Sequence, residues 1–149
     1  KKNGIDEREA ELRKCIKENT LSMLHPQSCV CITQETCVRD AIERMVKEKA
    51  SAVLIVENEE LVGIFSERDL IRRVALDYEE IADQPIRDYM THNPVKLNAN
   101  DPIAFALHHM DVGDYRHIPI THERNIPTGL ITVRDIIWFL DHKCLGGPE

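Results

Sequence analysis

Positive charge is scarce in this 149-residue chain, in which 19 Lys and Arg residues face 26 Asp and Glu residues and the formal net charge is −7 at pH 7. A general nucleic-acid binder needs a basic face for phosphate contacts, so this balance argues against that class of protein. It argues equally against docking on anionic lipid. Apolar runs are short as well, and none approaches the roughly 20 residues that a membrane span needs.

Cysteine occurs at no spacing that predicts a disulfide scaffold or a zinc site. The five residues are Cys15, Cys29, Cys31, Cys37 and Cys144. Their odd number, in a chain long enough to bury its own core, predicts reduced thiols in a cytoplasmic protein. The charged start of the chain, which lacks an apolar secretory segment, predicts the same location.

The sequence also lacks the patterns of a catalytic site. No Ser-His-Asp or Cys-His arrangement has the local context that such chemistry needs. His108 and His109 are adjacent on a predicted helix, so their side chains face about 100° apart and make a poor metal chelate. We therefore expect no enzyme activity, no catalytic residues and no resident metal.

What the chain does have is an internal repeat. Self-alignment pairs residues of like type in one register: Val30 with Val95, Ala41 with Ala106, Met45 with Met110 and Ile55 with Ile120. After a one-residue insertion it pairs Gly63 with Gly129, Ser66 with Thr132, Arg68 with Arg134 and Asp69 with Asp135. The repeat divides the chain into an N-terminal helical extension 1–27, a first repeat 28–90, a second repeat 91–143 and a tail 144–149.

Each repeat predicts the element order β-α-β-β-α from its hydrophobic periodicity. The predicted elements are strands at 30–32 and 95–97, helices at 38–46 and 103–110, strands at 52–56 and 118–121, strands at 61–65 and 129–133, and closing helices at 70–75 and 136–140. One repeat cannot cover both its sheet and its helices. We therefore expect an α+β fold in which the two repeats pack as a pseudo-two-fold pair, preceded by an N-terminal helix.

The extension 1–27 predicts one helix that stops at Pro26 and carries an apolar stripe of Ile5, Leu12, Ile16 and Leu24. The stripe favours a helix lying on the body of the protein, and a dimer contact is the alternative.

The repeated corner between strand and closing helix has two interpretations. In each copy a Gly is followed three residues later by a hydroxyl residue, Ser66 or Thr132, and three residues further by Asp69 or Asp135. A hydroxyl with an acid three positions on is typical of a helix N-cap, and a single copy favours that structural role. Capping, however, requires neither the glycine nor the arginine that both copies also contain.

The same residue types suit a phosphorylated ribose. The hydroxyl and the helix N-terminus can donate to a phosphate, and Arg68 or Arg134 adds a charged fork. Asp69 or Asp135 can accept both hydroxyls of a ribose. Gly63 and Gly129 omit a side chain where the sugar would approach. Two copies with all four residue types shift the interpretation toward a ligand site.

The corner Gly-h-x-Ser/Thr-x-x-Asp in a β-α-β-β-α repeat resembles the cystathionine-β-synthase (CBS) domain, whose tandem pair is called a Bateman module. The stretches 90–95 (Met-Thr-His-Asn-Pro-Val), 51–53 (Ser-Ala-Val) and 116–119 (Arg-His-Ile-Pro) resemble further motifs of that family. The resemblance covers residues 28–143. The run 65–69 (Phe-Ser-Glu-Arg-Asp) is similar to small stand-alone bacterial pairs, some of which bind AMP together with NADH.

The resemblance implies two adenosine sites, each using one repeat's corner and the opening strand and mid-strand of the other. It places Gly63, Ser66, Arg68 and Asp69 in the first site, together with Thr91, Pro94, Val95, Arg116, His117 and Ile118. It places Gly129, Thr132, Arg134 and Asp135 in the second site, together with Val30, Ser51, Ala52 and Val53. Because Arg116 and His117 add positive charge, we expect the first site to prefer the more heavily phosphorylated ligand.

The function that the resemblance implies is a regulatory energy sensor that binds AMP, ADP or ATP and signals occupancy to an unidentified downstream protein. NAD(H) is the alternative ligand, S-adenosylmethionine ranks below both, and a dimerisation scaffold with empty clefts is the alternative role. We expect a homodimer. The candidate seam consists of apolar residues of the closing helices: Leu70, Ile71, Val74, Ile136, Ile137, Phe139 and Leu140.

Overall fold

The computed structural model of the protein describes residues 2–146, with side chains from Asp6 onward. The side chain of Ile5 and residues 147–149 of the predicted tail lie outside the described residues. The chain has the α+β architecture that the repeat predicts, with a helix ahead of the first repeat. The strands are β1 (Cys31–Thr33), β2 (Ala52–Glu57), β3 (Glu60–Ser66), β4 (Thr91–His92), β5 (His117–Thr121) and β6 (Pro127–Thr132). The helices are α1 (Lys2–Glu18), α2 (Val38–Glu48), α3 (Glu67–Asp69), α4 (Tyr78–Ile81), α5 (Ile103–Gly113) and α6 (Val133–Phe139).

The chain divides into two compact units. The repeat-1 unit comprises Ser28–Pro94 and Thr121–Thr128, and the repeat-2 unit comprises the chain up to Gln27, Val95–Ile120 and the chain from Gly129. The segment ahead of the first repeat therefore belongs to the same compact unit as the second repeat.

The repeat-1 unit is built on the four-stranded sheet β1-β2-β3-β4. β1 runs parallel to β2, with Cys31 opposite Leu54, and β2 runs antiparallel to β3, with Ala52 opposite Ser66. The apolar stripe of α2, at the i, i+3 and i+7 positions of one helix face, is buried against this sheet. The stripe consists of Val38, Ala41 and Met45.

The repeat-2 unit has the two-stranded sheet β5-β6 and its own core. Ile103 and Ala106 of α5 are fully buried there, as Val38 and Ala41 of α2 are in the other unit. Cys15 and Ile16 of α1 pack against this core. The N-terminal helix thus lies on the body of its own unit, in the arrangement that the apolar stripe favours.

Two local predictions were wrong. The N-terminal helix ends at Glu18 rather than Pro26, and Leu21–Leu24 forms a separate 3₁₀ turn because Leu21 and Leu24 are buried in the core. The predicted strand at 95–97 is reduced to a single parallel bridge between Leu97 and Ile120. Both predicted closing segments are helical, and α3 and α6 each continue into a π-helical turn, Leu70–Val74 and Leu140–Cys144.

The predicted dimer seam is partly core. Val74, Ile136 and Phe139 are almost completely buried within their own units, so they cannot contact a second copy. Ile71 and Ile137 are exposed, and they remain available for such a contact.

The prediction of five reduced thiols was also wrong. Cys15 of α1 and Cys144 form a disulfide, while Cys29, Cys31 and Cys37 are free. The pairing needs α1 and the C-terminal turn to meet in three dimensions, which no local pattern shows.

No helix within residues 2–146 combines the length and the apolar character that crossing a bilayer requires.

Candidate functional site

The first corner forms where β3 ends at Ser66 and α3 begins. The Ser66 backbone N–H donates to Oδ2 of Asp69 at 2.9 Å, and the Ser66 hydroxyl donates to the same oxygen at 3.2 Å. The two residues form a capping box at the start of α3. The structural role that the sequence suggested for a single copy is therefore present in the folded chain.

The other carboxylate oxygen of Asp69 is occupied as well. The Thr91 hydroxyl donates to Oδ1 of Asp69 at 2.9 Å, and Nε of Arg73 lies 3.6 Å from that oxygen. Asp69 is only 6% exposed. A ligand at this corner would meet a carboxylate that is almost completely buried and whose Oδ1 already has the Thr91 hydroxyl and Arg73 beside it.

The position of Thr91 follows from sheet pairing. β4 runs antiparallel to β3, with Thr91 opposite Ile64 and His92 opposite Gly63. A Cβ at Gly63 would overlap Sδ of Met90, which is itself buried. Gly63 thus leaves room for the segment that contains Thr91, and the Met90 side chain fills the space beside the glycine.

Arg73 is a residue that the sequence analysis missed. Its Nη1 donates to the Met90 carbonyl at 2.7 Å, so it links Asp69 to the segment before β4. The i, i+4 spacing of Asp69 and Arg73 is the signal that could have identified it.

The second corner repeats the capping box but leaves one oxygen open. The Thr132 backbone N–H and hydroxyl donate to Oδ2 of Asp135 at 2.8 Å and 3.0 Å, and the Asp135 N–H donates to the Thr132 hydroxyl at 3.4 Å. Among residues 2–146, no donor reaches Oδ1 of Asp135. The carboxylate is half-buried, in contrast to the buried Asp69.

The difference arises from the segment that pairs with β6. Gln27 stands opposite Leu130 in an isolated antiparallel bridge, at the position that Thr91 occupies opposite Ile64. A Cβ at Gly129 would lie 2.9 Å from Cβ of Pro26 and 3.2 Å from the Gln27 carbonyl. Gly129 therefore admits this segment as Gly63 admits β4, but Gln27 supplies no hydroxyl to the aspartate.

The mid-repeat residues lie beside the corner of their own repeat. The Ser51 carbonyl accepts the N–H of Glu67 at 3.1 Å, and the Arg116 carbonyl accepts the N–H of Val133 at 3.2 Å. The Arg116 side chain is exposed. The resemblance assigned Ser51 and Arg116 to the corner of the other repeat, and that assignment stays a prediction.

Several residues expected around the adenine are core residues of their own unit. Ala52, Val53 and Ile118 are at most 2% exposed. A nucleotide could meet their backbone groups but not their side chains. The remaining predicted residues of this set are half-buried: Val30, Pro94, Val95 and His117.

The described part of the chain has no group of three or more His, Cys, Asp or Glu side chains that could hold a metal ion.

Two stretches of the chain, residues 26–76 and 86–142, match the family model described as the CBS domain. The chain belongs to the CBS domain family. The matched stretches contain both corners, Gly63 to Asp69 and Gly129 to Asp135.

Two relatives differ in the share of their own length that aligns with this chain. YlbB of Bacillus subtilis (strain 168), an uncharacterized protein, is 32% identical over 101 residues, which are 66% of this chain and 67% of YlbB. CBSCBSPB1 of Arabidopsis thaliana, a CBS domain-containing protein, is 26% identical over 110 residues, which are 73% of this chain and 20% of that protein. This chain thus covers about a fifth of the Arabidopsis relative.

Solved CBS structures share the fold. PAE2072 from Pyrobaculum aerophilum, complexed with AMP, has a TM-score of 0.70 at 21% identity and covers 78% of this chain and 89% of its own. CBSX2 in complex with AMP has a TM-score of 0.68 at 21% identity, covering 80% and 93%. The CBS domain pair of MJ0100, in complex with 5-methylthioadenosine and S-adenosylmethionine, has a TM-score of 0.73 at 17% identity, covering 82% and 99%.

Proposed function

We propose that this chain is a regulatory module that binds an adenosine nucleotide and passes its occupancy to a protein partner. Two CBS proteins of the same fold are described with AMP, and a third with adenosine-derived methylthioadenosine and S-adenosylmethionine. The adenosine moiety is common to these ligands. Its ribose carries two hydroxyls, and an aspartate can accept hydrogen bonds from both of them.

The observation that carries the proposal is the open oxygen of Asp135. Thr132 holds Oδ2 through its N–H and its hydroxyl, which fixes the carboxylate in one orientation. No donor among residues 2–146 reaches Oδ1. A carboxylate oxygen has room for two donors, so the ribose diol can complete the hydrogen bonding of Asp135 without breaking the capping box.

The second corner is therefore the principal nucleotide site in this proposal. Arg134 follows Thr132 by two residues and is exposed. Guanidinium groups bind phosphate oxygens through paired N–H donors. The first corner is a poorer site because Asp69 is almost completely buried and its Oδ1 already has the Thr91 hydroxyl and Arg73 beside it.

The charges favour a phosphorylated ligand. AMP, ADP, ATP and NAD(H) bring negative phosphates toward Arg134, whereas the sulfonium of S-adenosylmethionine brings a positive charge. AMP, ADP or ATP is the proposed ligand, and NAD(H) is the alternative. That the first site prefers the more heavily phosphorylated ligand stays a prediction.

A dimerisation scaffold is the second candidate function. It is favoured by the capping boxes, which are complete without any ligand. Exposed apolar side chains on α6, Ile137 and Trp138, could serve the contact between two copies. The homodimer and the identity of the downstream partner remain proposals.

A cytoplasmic location also stays a prediction, and the Cys15–Cys144 disulfide counts against it because reducing compartments disfavour such bonds.

Calorimetric titration with AMP, ATP, NADH and S-adenosylmethionine separates these functions. The proposal expects micromolar binding of a phosphorylated adenosine ligand, lost when Asp69→Ala and Asp135→Ala are combined. The control is protein that has been freed of carried-over ligand and still melts cooperatively. If none of the four ligands binds to it, the dimerisation scaffold remains as the function.

A further inference from the structure

Cys29 and Cys31 lie on either side of Val30 at the start of β1. Their Sγ atoms are 3.7 Å apart, and both side chains are half-buried. Ile32, the next residue, points into the core of the repeat-1 unit. Because side chains alternate along a strand, the two thiols lie together on the side away from that core.

The hydrogen bond between the two thiols shifts their pKa values in opposite directions. The Cys31 thiol donates a hydrogen bond to Sγ of Cys29, which lowers the pKa of Cys29 from 9.0 to about 7 against the opposing effect of burial. The same hydrogen bond, together with burial, raises the pKa of Cys31, while the nearby Arg44 of α2 opposes that rise. Near neutral pH a substantial fraction of Cys29 is therefore thiolate, while Cys31 keeps its proton.

We propose that Cys29 and Cys31 form an oxidisable dithiol, in which a hydroperoxide oxidises Cys29 and Cys31 closes a disulfide with it. Redox-sensitive cysteines are accessible and stand beside a second, resolving cysteine. Residues two positions apart on an extended chain are about 6.6 Å apart, which lies within the Cα separations that a disulfide spans. Closure requires the sulfurs to approach from 3.7 Å to about 2.05 Å.

The chemistry balances in two steps. The Cys29 thiolate attacks one oxygen of the hydroperoxide, the O–O bond breaks, and the other oxygen leaves as water or alcohol after taking a proton. The product is a sulfenic acid at Cys29. Cys31 then attacks the sulfenic sulfur, the S–O bond breaks, and water leaves with the Cys31 proton. The two thiols lose two electrons, and the hydroperoxide gains them.

The first test is peroxide treatment of the full chain carrying Cys37→Ala, which removes the third free thiol. Tandem mass spectrometry of the unreduced peptide should show a Cys29–Cys31 disulfide. In a second variant, Cys31→Ala, the proposal expects a sulfenic acid at Cys29 that dimedone captures. Peroxide that leaves both thiols free, or that oxidises Cys29 directly to sulfinic acid without the disulfide, would overturn the proposal.

The second test is the rate of iodoacetamide alkylation, which reads the thiolate directly. At pH 7 the rate at Cys29 should fall on the order of tenfold in Cys31→Ala, because alanine donates no hydrogen bond and the thiol returns toward its ordinary ionisation. Cys37→Ala is the matched control and should leave the rate unchanged. An equal rate at Cys29 with and without Cys31 would exclude the dithiol.

Discussion

The Thr91 hydroxyl donates a 2.9 Å hydrogen bond to Oδ1 of Asp69. At the second corner, Gln27 takes the sheet position of Thr91, and no donor within residues 2–146 reaches Oδ1 of Asp135. Two corners with nearly the same sequence therefore present different surfaces to a ligand. The asymmetry comes from the segments that pair with β3 and β6, not from the corner motifs.

Replacing Thr91 by valine should destabilise the fold. Valine keeps the shape of threonine but leaves Oδ1 of the buried Asp69 without its hydroxyl donor. The loss of a partner to a buried polar group costs about 1–3 kcal/mol. Urea unfolding measures the change in the free energy of unfolding. The matched control is Thr33→Val, which removes an exposed hydroxyl from a strand. Equal stabilities for the two variants would show that the Thr91–Asp69 bond contributes nothing.

Alanine at Gly63 should also be costly, because its Cβ would overlap Sδ of Met90, and Met90 is 1% exposed. Overpacking of this kind costs about 1–3 kcal/mol. The double variant with Met90→Val should lose less stability than the two single changes added together, since the smaller residue makes room. Simple additivity in denaturant unfolding would contradict the proposed contact.

The Cys15–Cys144 disulfide should stabilise the chain by about 2–4 kcal/mol, because it joins residues 129 positions apart. Unfolding in the presence and absence of dithiothreitol measures this difference. The variant Cys37→Ser keeps the disulfide and should respond to the reductant as the wild type does. A reductant-independent unfolding curve for wild type would mean that Cys15 and Cys144 are not joined.

Cys29 should make the free energy of unfolding rise between about pH 7 and pH 9. In this window the folded chain carries a thiolate, since the pKa of Cys29 is lowered from 9.0 to about 7, while the unfolded chain carries a thiol. The unfolded state binds more protons, so stability increases with pH. Below the folded pKa both states are protonated, and the contribution is lost.

Urea unfolding of wild type and Cys29→Ser at several pH values between about 6 and 9 isolates this contribution from other titrations. The stability difference between the two proteins should grow in favour of wild type as the pH rises. A difference that stays constant with pH would be inconsistent with the lowered pKa.

Local sequence patterns predicted the repeated elements well because each depends on residues close in the chain. The stripe of Val38, Ala41 and Met45 identified α2, and the hydroxyl–acid spacing identified the capping boxes of both corners. Those features require only helix periodicity and one turn of backbone.

The features that the sequence did not predict depend on distant segments. The Thr91–Asp69 bond requires β4 to pair with β3, and the Cys15–Cys144 disulfide requires two ends of the chain to meet. Neither the register of β4 nor the place of Gln27 beside β6 has a local signature. These contacts determine which corner is open, so the sequence identified the candidate aspartates but not the difference between them.

The most direct measurement compares nucleotide affinity in Asp135→Asn and Asp69→Asn by calorimetry. Asparagine preserves the size of the side chain but exchanges one acceptor oxygen for a donor amide. We expect Asp135→Asn to weaken binding of AMP or ATP by about 1.5–3 kcal/mol, the cost of losing a hydrogen bond to a charged group. Asp69→Asn should leave that affinity nearly unchanged. Strong loss in Asp69→Asn with wild-type affinity in Asp135→Asn would contradict the assignment of the second corner as the principal site.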